Sequence, residues 1–397
     1  MSNTSSDLQW IQSLPKISLH DHLDGGLQID TLLDLAQQAK WQLPAQTASA
    51  LTAWFSPLGQ AETGQRPSLE AYLQKFRHTL ALMQEPYQLR RVAYEHVLAL
   101  AADGVVYAEV RWAPQLHRQA GLTMEEAVRA VADGLHDGMD RVSQAGRPIM
   151  VQQILCAMRQ QTDSLAVAEL ALACRKLGVV GFDLAGPEQG YPASDHQPAL
   201  DYLAQHFMPV TLHVGEGTGL DSIQDALLAG HPLRLGHGIS LLKDVTLEPN
   251  RQDKTGQGPA SIRLGPLATW IKDRRITLEL CPQSNLHTGA APRWSKGKLD
   301  FSRPASQLRE YPIEIMRQAG FSITVNPDNR LMSSTSLSKE FALLAQNFNY
   351  GPAEFFELTV NALEGAFIPL EQKGALLSSL EQTYLQLIQQ QTSEKGS

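Results

Sequence analysis

Apolar positions in this chain follow two alternating patterns. Short, nearly continuous apolar runs, typical of strands buried on both faces, are separated by longer segments in which apolar residues recur at helical spacing. The helical pattern is present at 30–39, 69–83, 85–103, 123–145, 165–177 and 370–390. The strand pattern is present at 17–20, 105–111, 149–156, 179–184, 210–213, 234–235, 276–280 and 323–325.

Eight strand-like runs with helices between them predict the fold class. Helices between successive strands imply parallel pairing, because a parallel connection must cross back over the sheet. Eight such units in a chain of 397 residues favour a closed (β/α)8 TIM barrel with additional helices over an open doubly wound sheet. We therefore expect a single domain over 1–397, although the length alone would also accommodate two ordinary domains.

Two polar segments interrupt the alternation. Residues 43–66 are rich in proline and glycine, which predicts a loop, and a loop of this length in a compact enzyme often covers a site. One face of the helix that follows is apolar and comprises Leu69, Tyr72, Leu73 and Phe76. At helical spacing these side chains fit either an apolar lid or ordinary core. The second segment, 247–260, predicts an exposed excursion after the sixth strand.

Composition narrows the class of partner. A formal charge of -8 and a pI near 5.8 argue against a nucleic-acid surface or a polybasic membrane patch, so a small-molecule partner fits better. Cys156, Cys174 and Cys281 are far apart and odd in number, which favours a reducing compartment over a disulfide framework. No run approaches the roughly 18 apolar residues of a spanning helix. We expect a cytoplasmic location without membrane contact.

The candidate chemistry begins where the first strand ends. His20 and His22 are two residues apart, so their side chains point to the same face of the strand. In a closed barrel both imidazoles enter the lumen at its C-terminal mouth, where a divalent ion could take one nitrogen from each. His213 ends the fifth strand and can supply a third nitrogen, while Asp328 follows the eighth strand as a carboxylate ligand. Together they predict a metal centre.

Two further groups fall at the same mouth. Glu216 lies three residues after His213 on a glycine-containing turn, where it would face the cavity and suit a general acid or base. His237 ends the sixth strand, and a neutral imidazole near a metal-bound water is a natural proton acceptor. Taken singly, each also fits a structural role, as a capping glutamate or a buried histidine.

The order of several motifs resembles the adenosine deaminase family over residues 14–369. These motifs are His20-Asp21-His22-Leu23-Asp24-Gly25, Tyr107-Ala108-Glu109-Val110-Arg111, Asp183-Leu184-Ala185-Gly186, His213-Val214-Gly215-Glu216, Leu235-Gly236-His237-Gly238, Cys281-Pro282-Gln283-Ser284-Asn285 and Asn326-Pro327-Asp328-Asn329. The last continues as Asp-Asn-Arg-Leu-Met-Ser, a form similar to one bacterial branch. The resemblance implies a mononuclear zinc hydrolase of the amidohydrolase superfamily, which deaminates adenosine to inosine, and 2′-deoxyadenosine to its deoxy product, with release of ammonia in purine salvage.

The resemblance also implies roles for individual residues. The metal ligands to one Zn²⁺ per chain are then His20, His22, His213 and Asp328. Glu216 becomes the proton donor to the purine ring, and His237 the partner of the metal-bound water. Because the family has a hydrophobic gate, the resemblance favours a lid at 43–83.

For the substrate, the resemblance implies that Asp24 contacts the ribose 5′-hydroxyl and that the Gly186 backbone contacts ring N3. Three positions depart from the common pattern of the family. Pro187 replaces an acidic residue, Val214 replaces an alanine, and Asn329 replaces the second aspartate of an Asp-Asp pair. Because purine N7 only accepts hydrogen bonds, we expect the Asn329 amide to donate to it, although asparagine also commonly shapes turns.

Three alternatives remain open at this stage. The first is a deaminase of the free base or of a nucleotide; Asp24 favours a ribose hydroxyl over a phosphate, because a carboxylate would repel the phosphate dianion. A binuclear amidohydrolase typically uses a carboxylated lysine at the end of the fourth strand, which here reads Phe182-Asp183-Leu184-Ala185 without lysine. A catalytically dead purine-binding protein on the same fold is opposed by the presence of every catalytic residue type.

Overall fold

The computed structural model describes residues 10–56, 69–248, 261–295 and 297–395. Its central element is a ring of eight short strands whose residues are almost all buried. The strands are β1 (Lys16–His22), β2 (Val105–Trp112), β3 (Met150–Met158), β4 (Val179–Ala185), β5 (Thr211–Val214), β6 (Arg234–His237), β7 (Thr277–Leu280) and β8 (Ile323–Val325).

Hydrogen bonds join these strands into two parallel sheets, in the order β1–β2–β3–β4 and β5–β6–β7–β8. An isolated bridge from Phe182 to Val210 connects β4 with the residue just before β5. A second bridge, from Asp21 to Asp328, connects β1 with the segment that follows β8. At the second junction the His22 N–H donates to the Asp328 carbonyl at 2.7 Å. The two bridges close the barrel, and the predicted (β/α)8 fold is confirmed.

Helices connect and cover the strands. They are α1 (Ile29–Ala39), α2 (Ala48–Phe55), α3 (Leu69–Leu73), α4 (Phe76–Ala81), α5 (Pro86–Ala102), α6 (Met124–Gln144), α7 (Ser164–Ala173), α8 (Gln197–Gln205), α9 (Leu220–Gly230), α10 (Pro266–Asp273), α11 (Pro282–His287), α12 (Ile313–Gln318), α13 (Leu337–Phe348), α14 (Pro352–Gly365) and α15 (Leu370–Lys395).

Local chemistry sets where α6 begins and how closely it packs. The Thr123 hydroxyl accepts the Glu126 N–H at 3.1 Å while the Glu126 carboxylate accepts the Thr123 N–H at 2.9 Å, which is a capping box. Along the helix, a Cβ added at Gly134 would lie 2.2 Å from the Arg90 carbonyl. Glycine at this position therefore allows the backbones of α5 and α6 to approach each other.

One loop prediction and two helix predictions need correction. The predicted loop at 43–66 contains α2, and its residues 57–66 lie outside the described part of the chain. The predicted helix at 69–83 is divided into α3 and α4. The predicted helix at 165–177 ends at Ala173 and continues as a 3₁₀ turn, Arg175–Leu177, because the last residues tighten their hydrogen bonding before Gly178, whose φ is +80°.

Two antiparallel hairpins lie outside the barrel. Val245–Glu248 pairs with Ser261–Leu264, and Pro292–Ser295 pairs with Lys298–Pro304. An exposed excursion was predicted at 247–260, but residues 247–248 belong to the first strand of the first hairpin. The remaining residues of that prediction, 249–260, lie outside the described part of the chain. Across the described ranges, no helix is both long and apolar enough to cross a membrane.

Candidate active site

Three imidazoles and one carboxylate meet at the C-terminal mouth of the barrel. His20 and His22 come from β1, His213 from β5, and Asp328 from the segment after β8. The Nε2 atoms of His22 and His213 are 3.1 Å apart, and the Asp328 Oδ1 lies 3.3 Å from His20 Nε2 and 3.4 Å from His22 Nε2. The predicted set is thus brought together, with its four ligand atoms within 4.8 Å of one another.

The chemistry of this set fits a transition metal. Nitrogen and oxygen ligands at about 2.0–2.1 Å from a tetrahedral ion are about 3.3 Å from each other, close to the distances found here. His20 Nε2 is buried and, among the described residues, has no hydrogen-bond partner. Burial holds the pKa values of His22 and His213 below their usual range, which favours the neutral, ligating imidazole.

A second layer of charges orients two of the imidazoles. The Nδ1 of His20 lies 2.9 Å from the Glu279 carboxylate, and the Nδ1 of His213 lies 2.8 Å from that of Asp183. Arg111 bonds both carboxylates, at 2.7 Å and 2.9 Å. With its Nδ1 donating to Glu279, the His20 ring turns the lone pair of Nε2 toward the centre of the site, and Asp183 holds His213 by accepting its backbone N–H at 3.1 Å.

Sequence reasoning did not identify this second layer as functional. Asp183 and Arg111 appeared only as members of motifs, and Glu279 precedes the Cys281 motif by two residues. Burial alone opposes ionisation of Glu279, but Arg111 and Arg234 hold the pKa of its carboxyl well below the usual range. The sequence did contain one indication of these residues: each lies within an apolar strand segment. Burying a charged side chain there costs free energy unless it is paired with an opposite charge inside the barrel.

Two residues of the site adopt an uncommon backbone conformation. His237 and Asp328 have φ values of +64° and +59°, in the left-handed region that residues other than glycine rarely occupy. Such strain persists where the surrounding structure determines it and is frequent in active sites. At Asp328 the backbone is held by the bridge to β1. The conformation directs its carboxylate toward the histidines of β1.

Glu216 lies on the turn after β5 with its carboxyl inside the mouth. Its Oε1 accepts a hydrogen bond from the Thr288 hydroxyl at 3.0 Å, and its Oε2 is 3.4 Å from the Nε2 of His237. Burial, reinforced by the negative charge of Asp328, raises the pKa of Glu216 to about 8. The structure therefore holds an acid that is largely protonated at neutral pH.

His237 is supported from the side away from Glu216. Its Nδ1 is 3.0 Å from the Asn285 amide nitrogen, and the Tyr311 hydroxyl donates to the amide oxygen of Asn285 at 2.9 Å. Burial lowers the pKa of His237 well below its usual value. The ring is thereby neutral and fixed, with its Nε2 toward the site.

A cavity of about 260 Å³ adjoins these groups. The sequence-predicted residues that line it are His22, Asp24, Gly186, His213, Glu216, His237, Asp328 and Asn329. The apolar face named above also lines it, through Leu69, Tyr72, Leu73 and Phe76. His20 is completely buried behind the cavity. All the predicted site residues therefore gather at one mouth.

Two polar side chains of the cavity have atoms without partners in the described structure. The Oδ1 of Asp24 and the Oδ1 of Asn329 are buried and make no hydrogen bond. Burial raises the pKa of Asp24 to about 7, although N–H groups of Gly25 and Ala113 oppose this. A Cβ added at Gly25 would lie 2.0 Å from the Asn329 Oδ1, so glycine at 25 makes room for this amide.

Comparison with known proteins places the chain in a family. A sequence model described as adenosine deaminase matches residues 15–383. The adenosine deaminase of Mycobacterium avium is 42% identical over 375 residues, which cover 94% of this chain and 96% of that protein. The N6-methyl-AMP deaminase of Arabidopsis thaliana superposes with a TM-score of 0.72 at 26% identity, covering 94% of this chain and 98% of that one. Adenine deaminase of Arthrobacter aurescens shares the fold, with a TM-score of 0.74 at 21% identity and coverage of 93% and 98%. The chain belongs to the adenosine deaminase family.

Proposed function

We propose that this protein is a zinc-dependent hydrolase of purine salvage that deaminates adenosine to inosine and 2′-deoxyadenosine to 2′-deoxyinosine, with release of ammonia. The observation that carries the proposal is the juxtaposition of a metal-ligand set with a carboxyl group that burial keeps protonated, both facing one cavity. Family membership supports the same reaction.

The groups that would hold one Zn²⁺ per chain are His20, His22, His213 and Asp328. A zinc ion in such a site supplies Lewis-acid chemistry, lowering the pKa of water from 15.7 to about 7 so that hydroxide is available at neutral pH. The neutral imidazole of His237, whose Nδ1 accepts from the Asn285 amide, presents its Nε2–H to the attacking oxygen and orients it, and the Asp328 carboxylate can accept the proton of that oxygen. The Arg111 pairs behind the site keep the ligands in place.

Glu216 acts as the general acid. Attack at purine C6 places negative charge on the ring, which becomes acceptable when a proton arrives at N1 at the same time. Glu216 is protonated below a pKa of about 8 and can deliver that proton. Its ionised form can then receive a proton for the departing ammonia.

Recognition of the nucleoside rests on three residues. The unpartnered Oδ1 of Asp24 suits the 5′-hydroxyl of ribose, which donates a hydrogen bond. The Gly186 backbone contacts N3 of the purine. The φ of +96° at Gly186 brings the backbone toward the cavity at this point. The Asn329 amide donates to N7.

A nucleoside fits this cavity better than a nucleotide. Among the described residues that line it, none is lysine or arginine, and a phosphate beside the buried Asp24 would lack a cation. The Arabidopsis relative named for N6-methyl-AMP and the Arthrobacter relative named for adenine define the competing substrates. We propose further that the whole chain, 1–397, is one domain and that 43–83 forms its lid.

The proposal is tested by a spectral assay of adenosine, 2′-deoxyadenosine, adenine and AMP side by side, with metal analysis of the same sample. We expect turnover of the two nucleosides and about one zinc per chain. Preferential turnover of adenine or AMP would reassign the substrate. Purine binding without ammonia release would show that the protein is a binding module.

A further inference from the structure

Glu188 is a buried carboxylate behind the turn that carries Glu216. It lies in the loop after β4 and is 7% exposed. Five donors converge on it: the N–H groups of Gly215 at 2.6 Å, Glu216 at 3.2 Å and Gly217 at 2.8 Å, and the hydroxyls of Ser222 at 2.6 Å and Thr218. Sequence reasoning did not select Glu188, because a glutamate in a polar loop carries no pattern of its own.

The donor set explains why this side chain is a glutamate. Three of the five donors are backbone N–H groups, which cannot accept a hydrogen bond, and they are divided between the two oxygens of Glu188. Only an ionised carboxylate offers two acceptor oxygens with this capacity. Bonds from N–H groups to a carboxylate are stronger than those between neutral groups.

The turn is held from outside by Glu188, which accepts its N–H groups, and by Ser240, whose N–H donates to the Gly215 carbonyl at 2.9 Å. Gly215 has a φ of +70°. Glycine does not itself restrict the backbone to this conformation, because it adopts many others as easily. Within the described structure, the Glu216 carboxyl has one hydrogen-bond donor, the Thr288 hydroxyl. The direction of the Glu216 side chain is therefore set mainly by its backbone, and that backbone is bonded to Glu188.

The charge of Glu188 acts on Glu216 as well. The titratable groups that face the Glu216 carboxyl are Asp328, Glu188 and His20, with the neutral His237 at 3.4 Å. After burial and Asp328, the carboxylate of Glu188 also favours the protonated acid, whereas His20 opposes it. The negative charge of Glu188 is in turn within electrostatic reach of Arg159.

We propose that Glu188 is a positioning residue for the deamination: it fixes the turn through Gly215 and Gly217 so that the Glu216 carboxyl points at the purine ring. The inference rests on the proposed function, because it takes Glu216 as the acid. It adds a connection between the loop after β4 and the proton donor after β5.

The first experiment is Glu188→Gln in the full-length, zinc-loaded protein. The amide offers one acceptor oxygen and turns its NH₂ toward backbone N–H groups, so the turn must shift. We expect kcat for adenosine to fall about 10²-fold, the effect of roughly 1 Å of misplacement, with KM within about threefold of the parent. Zinc content should equal that of the parent, because His213 lies before the turn.

A double-mutant cycle separates positioning from a general structural effect. In the Glu216→Gln background, Glu188→Gln should lower kcat by less than about threefold, since residues that act as a unit are not additive. A full further loss in that background, or loss of zinc, overturns the inference. If Glu216→Gln alone keeps the parent activity, it is the proposed role of Glu216 that fails.

The matched control is Glu340→Gln. Glu340 is 1% exposed and accepts the Gln283 N–H at 3.3 Å and the Thr335 hydroxyl at 2.7 Å, but it bonds no part of the Glu216 turn. Its kcat and pH profile should match the parent. The alkaline fall of kcat/KM should move to lower pH in Glu188→Gln alone.

If Glu188→Gln does not fold, Ser222→Ala takes its place in the double-mutant cycle, because the Ser222 hydroxyl donates to Glu188. A loss of kcat of equal size in the parent and in the Glu216→Gln background would contradict the inference.

Discussion

A carboxylic acid that donates a proton at neutral pH must be kept uncharged by its surroundings. For Glu216, the acid that we propose, the surroundings act by removal from water and by the negative charges of Asp328 and Glu188, of which Asp328 is the larger contributor. The single hydroxyl of Thr288 opposes the shift, because a hydrogen bond to a carboxylate favours its ionised form. Burial outweighs that hydrogen bond, so the acid stays available.

The first prediction concerns Glu216→Gln. The amide keeps the shape of the side chain but carries no transferable proton, so kcat should fall by about 10²–10⁴-fold. Zinc content should stay at the parental level, because Glu216 is not one of the proposed ligands. Parallel steady-state kinetics and metal analysis check both expectations. A zinc-loaded variant with nearly parental turnover would remove Glu216 from the mechanism.

The second prediction is the pH dependence of the reaction. Below a pKa of about 8 Glu216 holds its proton, and above that pKa it is ionised and cannot protonate N1. We expect kcat/KM for adenosine to fall by about tenfold per pH unit as the pH rises beyond roughly 8. Assays from pH 6 to pH 10, with zinc measured at each pH, test this. A rate that stays constant to pH 10 argues against an acid at this position.

The third prediction concerns the amide of Asn329. Its contact with N7 should make 7-deazaadenosine a poorer substrate by roughly 1–3 kcal/mol, the cost of leaving a buried polar group unpaired. Asn329→Leu should lose a similar amount on adenosine and much less on the deaza analogue. Measuring kcat/KM for both proteins on both substrates completes the cycle. A coupling energy near zero would mean that Asn329 only shapes its turn.

At the scale of elements, strand ends were the most predictable feature of the sequence. His20 and His22 differ by the two-residue period of a strand, and His213 and His237 each close a short apolar run. Those local patterns predict that the side chains lie at the C-terminal mouth of the barrel, which is where the structure has them. Glu188 and Glu279 act on partners that are distant in sequence, so no local period reveals them.

The division of the predicted helix at 69–83 has a similar tertiary cause. Between α3 and α4, Lys75 is 5% exposed and its ammonium donates to the Phe55 carbonyl at 2.8 Å. The N–H groups of Lys75 and His78 bond carbonyls three residues back, as in a 3₁₀ turn. The apolar spacing continues through this junction and therefore predicts one helix.

The fourth prediction concerns the apolar face of α3 and α4. If this face is a lid over the substrate, Phe76→Ala should raise KM or lower kcat while the melting temperature changes little. The matched control is Phe341→Ala, since Phe341 is 2% exposed, stacks on Phe355 at 4.6 Å, and does not line the cavity. That variant should lose about 3–5 kcal/mol of stability with unchanged KM. Destabilised Phe76→Ala with parental kinetics would favour a core role.

At the scale of the whole molecule, the proposed ligands connect both halves of the barrel. His20 and His22 belong to the sheet β1–β4, whereas His213 and Asp328 belong to the sheet β5–β8 and the segment after it. The backbone pairing between the two sheets is reduced to one bridge at each junction, and side-chain pairs such as Arg111–Glu279 add contacts across the barrel. A bound ion would therefore stabilise the closed barrel by binding the folded state alone.

The fifth prediction is that metal removal destabilises the protein. Chelation should lower the melting temperature of the zinc-loaded protein, by an amount that corresponds to about 4 kcal/mol if free zinc had exceeded its Kd by about 1,000-fold. His213→Ala should lose zinc and activity together, and chelator should not lower its melting temperature further. Differential scanning calorimetry of both proteins, with and without chelator, provides the comparison. Equal shifts in the two proteins would place the stabilising ion elsewhere.

The bridge between Asp21 and Asp328 has a consequence for biosynthesis. The histidines of β1 leave the ribosome before all the other strands, whereas β8 and the carboxylate of Asp328, which complete both the barrel and the ligand set, follow the other seven strands. Barrel closure and metal loading therefore depend on the same late segment. The nascent chain holds the two histidines of β1 before the aspartate has been made, so the complete ligand set exists only after translation has passed β8.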